Sequence, residues 1–371
     1  MNFYFLYFAE TKKLFKIFNK HNIEARFVGG CVREAICNLV TDDFDIAVNS
    51  NIEDLCNILN IYHINVVKTG IKFSSVTVII NNKKYEITSL RKDINCSGRH
   101  CDTENISSFE IDSNRRDFTI NALYVSENGK IFDYHNGISD LQNNTIKFIG
   151  KPKTRIEEDF LRIFRYYRFC AKYNDYSNMY SEVIRNESQN INKLSIERIQ
   201  REIFKILEIP NHYIIVRNML HDNILTNINI EKYEKLLQIN NKAHLSLKLY
   251  ILFQYDYLIN GFKLPKYLRN KIKLYKQFED EPLIYCAYKN SIEIQEDIIL
   301  IKHLKYNKPI INPILNIQNN KFPISYNDLP ECIKKQAFKY LKECEQWWII
   351  NNFIPTKQKC LDFIKRNIKH E

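Results

Sequence analysis

Hydrophobic spacing changes character near residue 150, and that change limits the chain to a sheet-bearing first part followed by helices. Before it, short β-rich runs at 44–48, 76–80 and 85–90 are bounded by turn signals such as Asn81-Asn82 and Ser97-Gly98, the pattern of a sheet with a few helices. Beyond it, apolar residues recur at helical spacing, as in Ile156, Phe160, Ile163 and Phe164, and again in Leu194, Ile199, Ile203, Phe204 and Leu207. Pro210, Pro265, Pro282 and Pro309 fall at breaks between helices, and no repeat of fixed period is present. The stretch 305–330, rich in Asn and Pro, reads as a long loop before two last helices, the first carrying Trp347 and Trp348. At 371 residues the chain exceeds what one core usually organises, so two or three domains of an α+β protein are expected.

Lys and Arg total 54 against 43 Asp and Glu, a formal charge of +11. That excess suits a polyanionic partner such as nucleic acid or an acidic membrane surface; the plainer reading is a solvated basic surface. Ten cysteines are scattered from Cys31 to Cys360 without a CxxC pair or a signal-like leader, which predicts core thiols in a reduced, cytoplasmic protein. Cys96, His100 and Cys101 lack the paired spacing of a zinc finger. The apolar opening from Asn2 to Ala9 is far shorter than the roughly 20 residues of a bilayer span, so no membrane partner is expected and Phe3, Tyr4 and Leu6 are assigned to a packed helix.

The sharpest segment is Phe27-Val28-Gly29-Gly30-Cys31-Val32-Arg33-Glu34, followed by Asp43-Phe44-Asp45. A strand ending in two glycines lets the backbone approach a phosphate, and the next helix brings Gly30 at its N-terminus and Arg33 toward the same charge. Asp43 and Asp45 alternate on an expected strand, so both carboxylates leave one face and can grip one hard cation. Gly-Gly turns and Asp-x-Asp strand ends are each common alone; together, in this order, they point to a metal and nucleotide site.

On these residues the chain resembles the class II tRNA nucleotidyltransferases, the bacterial CCA-adding enzymes, and the related bacterial poly(A) polymerases. The resemblance runs from about Arg26 to Leu207. Tyr85-Glu86-Ile87-Thr88-Ser89-Leu90-Arg91 is similar to the family's Glu-x-Thr-Thr-x-Arg strand, and Arg115-Arg116-Asp117-Phe118-Thr119-Ile120-Asn121-Ala122 reproduces its most recognisable string. The segment from Asp133 to Leu141 matches its flexible loop. Glu158-Asp159-Phe160-Leu161-Arg162-Ile163-Phe164-Arg165, with Arg168 beyond, resembles the helix on which the incoming base is read. Leu194-Ser195-Ile196-Glu197-Arg198-Ile199 resembles the last motif, with Ser195 and Glu197 at the start of a neck helix.

The resemblance implies a polymerase-beta-type nucleotidyltransferase head over 1–150, a neck that recognises the base over 151–208, and an all-helical body and tail that bind RNA over 209–371. It implies Mg²⁺ held by Asp43 and Asp45, with Glu86 either a third carboxylate or a sheet residue paired with Lys83 or Lys84. Arg116 is implied to contact the nucleotide; an ion pair with Asp112 or Asp117 is the structural alternative. Asp159 and Arg162, at i and i+3 on one helix, pair an acceptor with a donor, which suits the pairing edges of cytosine and adenine and opposes those of guanine and uracil. Arg168 lies half a helical circle from Asp159, so Arg165 and Arg168 are assigned to triphosphate or head contacts.

The implied reaction is addition of C, C and A to tRNA from CTP and ATP. The alternatives are a poly(A) polymerase using ATP alone and a non-catalytic RNA-binding protein. Thr69-Gly70-Ile71 leading into Val76-Thr77-Val78 favours the tRNA branch. Paired carboxylates argue against a mere binder, because like charges facing a polyanion weaken binding unless a divalent cation sits between them. The chain departs from the family pattern at Glu34, where Asp is usual, at Phe73-Ser74-Ser75 in place of His-Gly-Thr, and in the loosened acidic run Ile111-Asp112-Ser113-Asn114.

Overall fold

Asparagine turns and β-branched runs in the first part of the chain fold into a mixed sheet whose two faces do different work. The computed structural model describes residues 2–68, 74–97, 100–315 and 317–368. Thr69-Gly70-Ile71 and Phe73, which bear on the choice of branch, lie outside the described residues, as do Gly98 and the side chains of Cys96, His100 and Cys101. The chain divides into two compact units, Met1–Thr226 and Asn227–Glu371.

The sheet of the first unit has seven strands: β1 (Ala25–Val28), β2 (Phe44–Val48), β3 (Asn65–Val67), β4 (Ser75–Ile80), β5 (Lys83–Ser89), β8 (Leu123–Val125) and β9 (Ile131–Asp133). Their order is β3-β4-β5-β2-β1-β8-β9, while β6 (Arg91–Ser97) and β7 (His100–Asn105) form a separate ribbon. Asn81 and Asn82, at φ of 46° and 66°, make the two-residue turn between β4 and β5, a conformation that asparagine tolerates better than most residues. The central pair, β2 and β5, is parallel, with Asp45 opposite Glu86.

Alternation sorts the two faces. Phe44, Ile46 and Val48 of β2 and Tyr85 and Ile87 of β5 point into a core with Phe5, Phe15 and Phe27. The ring centroids of Phe5 and Phe27 stand 4.5 Å apart, and those of Phe44 and Tyr85 5.6 Å apart. Phe3 is buried, and Tyr4 and Leu6 are half-buried against the same core, but from a short 3-10 turn over Tyr4–Tyr7 that precedes the Ala9–Lys20 helix and not from within a helix. The opposite face carries Asp45, Ala47, Glu86 and Thr88, one residue out of phase with the core.

Helices Pro152–Glu158, Leu161–Tyr173, Ser181–Glu187, Ile196–Glu208 and Tyr213–His221 complete this unit. Asp222 accepts hydrogen bonds from Tyr167 Oη at 2.6 Å and from Ser181 Oγ at 2.5 Å. These bonds hold the Tyr213–His221 end against the neck, so the boundary expected at 209 falls inside the first unit. The helix expected to run through residues 156–164 is broken at Asp159, whose φ of −155° is extended. The 133–141 segment, expected as a loop, folds as a capped helix over Gly137–Gln142: Asp133 accepts from the Gly137 and Ile138 amides at 2.8 and 2.9 Å.

The second unit is helical. Ile230–Ile239, Leu245–Leu252, Lys266–Phe278 and Ile292–Tyr306 bury Leu247, Ile272, Tyr275 and Ile298, and a mostly irregular stretch leads to Ala337–Ile350 and Lys357–Ile368. Trp347 stacks on Phe363 at 4.6 Å to join these last two helices. Among the described residues no helix is long and apolar enough to cross a membrane. Cys31, Cys56, Cys170, Cys286, Cys344 and Cys360 are buried free thiols.

Gly137 packs so closely that a Cβ there would stand 2.3 Å from the Thr119 carbonyl oxygen. Gly137→Ala is expected to lower the unfolding free energy by about 2 kcal/mol or more, read as a drop in the urea midpoint; an unchanged midpoint would mean that the Thr119 backbone moves aside freely.

Candidate active site

The polar face of the sheet opens into a cavity of about 260 Å³ lined by Ser75, Asp45, Glu86, Arg91, Arg115 and Arg116, among others. The parallel register of β2 and β5 sets Asp45 and Glu86 side by side. Asp43 stands exposed just before β2. Burial pushes the Asp45 carboxyl up to about 7, and the charges of Asp43 and Glu86 push in the same direction against Arg116 and Arg33. Three carboxylates thus share one electrostatic neighbourhood. Glu86 accepts from Ser75 Oγ at 3.1 Å, and Thr88 Oγ1 donates to Ser75 in turn at 3.3 Å.

Gly29 ends β1 at φ +73°, a value that glycine adopts without strain, and opens the Gly30–Ile36 helix. A Cβ on Gly29 would stand 3.7 Å from Asp45 Oδ2 and 3.8 Å from Arg116 Nη1, so the glycine lets backbone, carboxylate and guanidinium meet. Arg116 is aimed by a buried network. Its Nε donates to Tyr124 Oη at 3.0 Å, its Nη2 to Asp112 Oδ2 at 3.2 Å, and Arg115 Nε donates to Asp112 Oδ1 at 2.8 Å. Tyr124 Oη donates to Asp112 at 2.7 Å. Burial raises the Asp112 carboxyl, but Arg116 and Arg115 outweigh it and hold the group down to about 2. The ion pair with Asp112 and the opening toward the cavity coexist in Arg116.

Arg33 departs from the open phosphate ligand that its position predicts. It is 7% exposed, donates to Glu34 at 2.8 Å and to Tyr173 Oη at 2.7 Å, and bonds Asn121, which ties the head to the Leu161–Tyr173 helix. Glu34, the residue where Asp is usual, uses its extra methylene in the same tie, accepting from Lys172 Nζ at 2.6 Å. The guanidiniums of Arg33, Arg165 and Arg168 surround Phe169 at 4.9, 5.6 and 4.2 Å from its centroid. Arg165 donates to Asp117 of the head at 2.6 Å, whereas Arg168 pairs with Glu202 of the neck at 2.6 Å.

Asp159 and Arg162 do not share a helix, contrary to the spacing argument. Asp159 lies in the break, where Oδ1 accepts from the Leu161 amide at 3.1 Å and caps the following helix, and Oδ2 accepts from Arg198 at 2.8 Å. Arg162 Nη1 donates to Glu158 at 2.6 Å and to the Arg155 carbonyl at 2.8 Å. Ser195 does precede the Ile196–Glu208 helix, although no side-chain cap bond forms there.

Sequence reasoning left Ser75, Tyr124 and Arg198 without a role and named Asp112 as a possible ion-pair partner of Arg116, which it is. Arg91 and Arg115 stood inside recognised motifs, yet only the folded register brings them to the cavity. Among the described residues no trio of His, Cys, Asp or Glu side chains is drawn up as a finished metal cage. Asp45 and Glu86 are the hard oxygen donors that line the cleft, and the exposed Asp43 lies near enough for its charge to act on Asp45.

Residues 25–147 match the Poly A polymerase head domain, and residues 180–231 match the probable RNA and SrmB-binding site of polymerase A. The chain is 32% identical over 241 residues to the mouse CCA tRNA nucleotidyltransferase 1, mitochondrial, covering 62% of this chain and 56% of that one. It is 38% identical over 191 residues to the CCA-adding enzyme of Streptococcus pyogenes serotype M1, covering 51% and 46%. The chain thus spans about half the length of the curated relatives it matches. Its fold is that of the Bacillus stearothermophilus CCA-adding enzyme in complex with CTP, with a TM-score of 0.71, 18% identity and 98% of each chain covered. The Thermotoga maritima CCA-adding enzyme complexed with tRNA superposes with a TM-score of 0.66 at 18% identity, covering 97% of this chain and 96% of that one. Residues 25–147 thus carry a Poly A polymerase head, a segment of the neck matches that polymerase's RNA-binding region, and the chain as a whole is similar to the class II CCA-adding enzymes and poly(A) polymerases.

Proposed function

We propose that this chain adds C, C and A to the 3′ end of tRNA from CTP and ATP without a nucleic-acid template. The observation that carries the reading is Asp45 opposite Glu86 and beside Arg116 at Gly29, in an open cleft of a head of this family. The relatives support the choice of substrate: several are named CCA-adding, and solved neighbours were captured with CTP, with tRNA and with an ATP analog.

The donor set fits Mg²⁺. Asp43 and Asp45, with Glu86 adjoining, are hard oxygen ligands, and the mutual repulsion recorded at Asp45 is what a divalent cation relieves. When bound, such ions supply activation of the RNA 3′-hydroxyl and neutralise charge on the leaving pyrophosphate. The protein does the rest by positioning. Gly29 and Gly30 let the backbone come close to the triphosphate, and Arg116 donates to its oxygens from a fork held by Asp112 and Tyr124. Arg165 and Arg168, with Arg33 beneath, add positive potential. Asp159 accepts from the exocyclic amino group of cytosine or adenine while Arg162 donates to the neighbouring ring nitrogen; guanine and uracil present the opposite order. The 180–231 segment and the helical second unit grip RNA phosphates, so recognition follows the shape of the tRNA and weakens with salt. Buried free thiols accord with the reducing cytoplasm.

Offered tRNA lacking its last three nucleotides, the protein is expected to incorporate C before A and stop after three additions; long A tails from ATP alone would replace this reading with a poly(A) polymerase. Asp43→Asn is expected to slow addition on the order of a thousandfold while RNA retention on a filter is unchanged, and full activity would refute the metal assignment. Asp159→Ala is expected to relax nucleotide choice, measured as UTP and GTP incorporation.

A pH prediction follows from Asp45. Its folded value of about 7 lies above the ordinary 3.8, so the folded metal-free protein holds the proton more tightly and loses stability as pH rises from 4 to 7. Asp45→Asn is expected to stabilise the metal-free protein at pH 8 by on the order of 2 kcal/mol, after allowance for solvent screening, with no gain at pH 4. Mg²⁺ raises the melting temperature of the wild type and not of the variant; equal melting curves at pH 8 without metal would contradict the crowding of charge.

A further inference from the structure

Arg155 belongs to none of the groups assigned above, yet it links them. It sits in the Pro152–Glu158 helix with its side chain 11% exposed. Nη1 donates to Glu158 Oε2 at 2.6 Å, and the same oxygen accepts from Arg162 Nη1 at 2.6 Å. Nη2 reaches into the head and donates to the backbone carbonyls of Arg115 at 2.5 Å and Arg116 at 2.8 Å. Arg162 closes the loop by donating to the Arg155 carbonyl at 2.8 Å. One planar fork therefore spans from the residue that reads the base to the backbone that carries the cavity-lining arginines.

We infer that Arg155 is a positioning residue that couples nucleotide choice at Arg162 to the placement of Arg116 in the catalytic cleft, through Glu158 on one side and the two head carbonyls on the other. This rests on the nucleotidyltransferase reading proposed above. The chemistry requires arginine. Glu158 Oε2 holds two guanidiniums at once, so the position of one constrains the other. The carbonyls of Arg115 and Arg116 follow the Phe109–Asn114 helix directly and precede Asp117, which Arg165 grips from the same neck helix as Arg162. A lysine keeps the charge but presents a single nitrogen, which cannot bridge a carboxylate and two carbonyls in fixed directions. A base that pulls Arg162 out of line draws Glu158 away from Arg155, and the Arg116 backbone loses its anchor at the moment of reaction. A correct base keeps the whole chain of bonds taut.

The test measures incorporation of CTP and of UTP separately on tRNA lacking CCA, with equilibrium binding of each nucleotide measured alongside. Wild-type protein that selects CTP establishes the underlying reading; wild type that neither binds nor incorporates CTP overturns that reading instead of this inference alone. With selective wild type, Arg155→Lys is expected to reduce the ratio of kcat/KM for CTP over UTP at least tenfold, mainly through kcat for CTP, with KM changed less than threefold. In an Arg162→Ala background the same substitution is expected to change the ratio less than twofold, because the link has already lost its reading end. A ratio unchanged in Arg155→Lys, or losses that multiply across the two substitutions, overturns the coupling and leaves Arg155 a plain structural tie. Should Arg155→Lys fail to fold by circular dichroism, Glu158→Gln cuts the shared ion pair while sparing the carbonyl bonds, and it is held to the same expectations.

Discussion

The parallel pairing of β2 with β5 is the constraint from which the site follows. It puts Asp45 and Glu86 on adjacent strands at one level and on one face, and the strand phase that buries Phe44 and Tyr85 leaves the two acids no other place to point. The fold therefore keeps like charges together at its centre, an arrangement that weakens a protein unless something positive joins them. Arg116 offsets part of this from across Gly29, and the remainder is what the proposed divalent cation would relieve. The core and the cleft are two sides of one alternation. Slipping β2 by a single residue would exchange them.

Guanidinium groups organise the surroundings of those acids. Asp112 gathers Arg115 and Arg116 from beneath, Asp117 holds Arg165, Glu34 holds Arg33, and Glu158 holds Arg155 with Arg162. Isolated buried charges of this kind would be costly, and each is satisfied by a partner at bonding distance. Asp117 with Arg165, and Glu34 with Lys172, cross from head to neck and tie the two regions together.

Much of this was legible in local pattern. The β2 run alternates so cleanly that its bounds of 44–48 coincide with the strand, and Asn81-Asn82 marks the turn between β4 and β5 because asparagine accepts left-handed backbone. Asp43 and Asp45 stood out for the same period-two reason. What escaped was long-range. Nothing near Glu86 announces that β5 runs parallel to β2, or that Tyr167 and Asp222 meet across 55 residues of sequence. The break at Asp159 was hidden differently: apolar spacing from Ile156 through Phe164 persists across the interruption, and an aspartate that caps a helix resembles one that lies within it. Arg33 looked like a phosphate ligand since sequence shows its charge but not that Glu34, Asn121 and Tyr173 have already claimed it.

Asp159 sits at a joint between two helices, its carboxylate clipped to the Leu161 amide on one side and to Arg198 on the other. Re-aiming it requires rotation about the side-chain torsions of a single residue and release of those two bonds, while its carbonyl goes on accepting from the Arg162 amide. On the proposed reading, the reach of the acceptor would be a torsional setting rather than a property of a rigid rod, and one carboxylate would serve rings of unequal width, a pyrimidine and then a purine, without any helix unwinding.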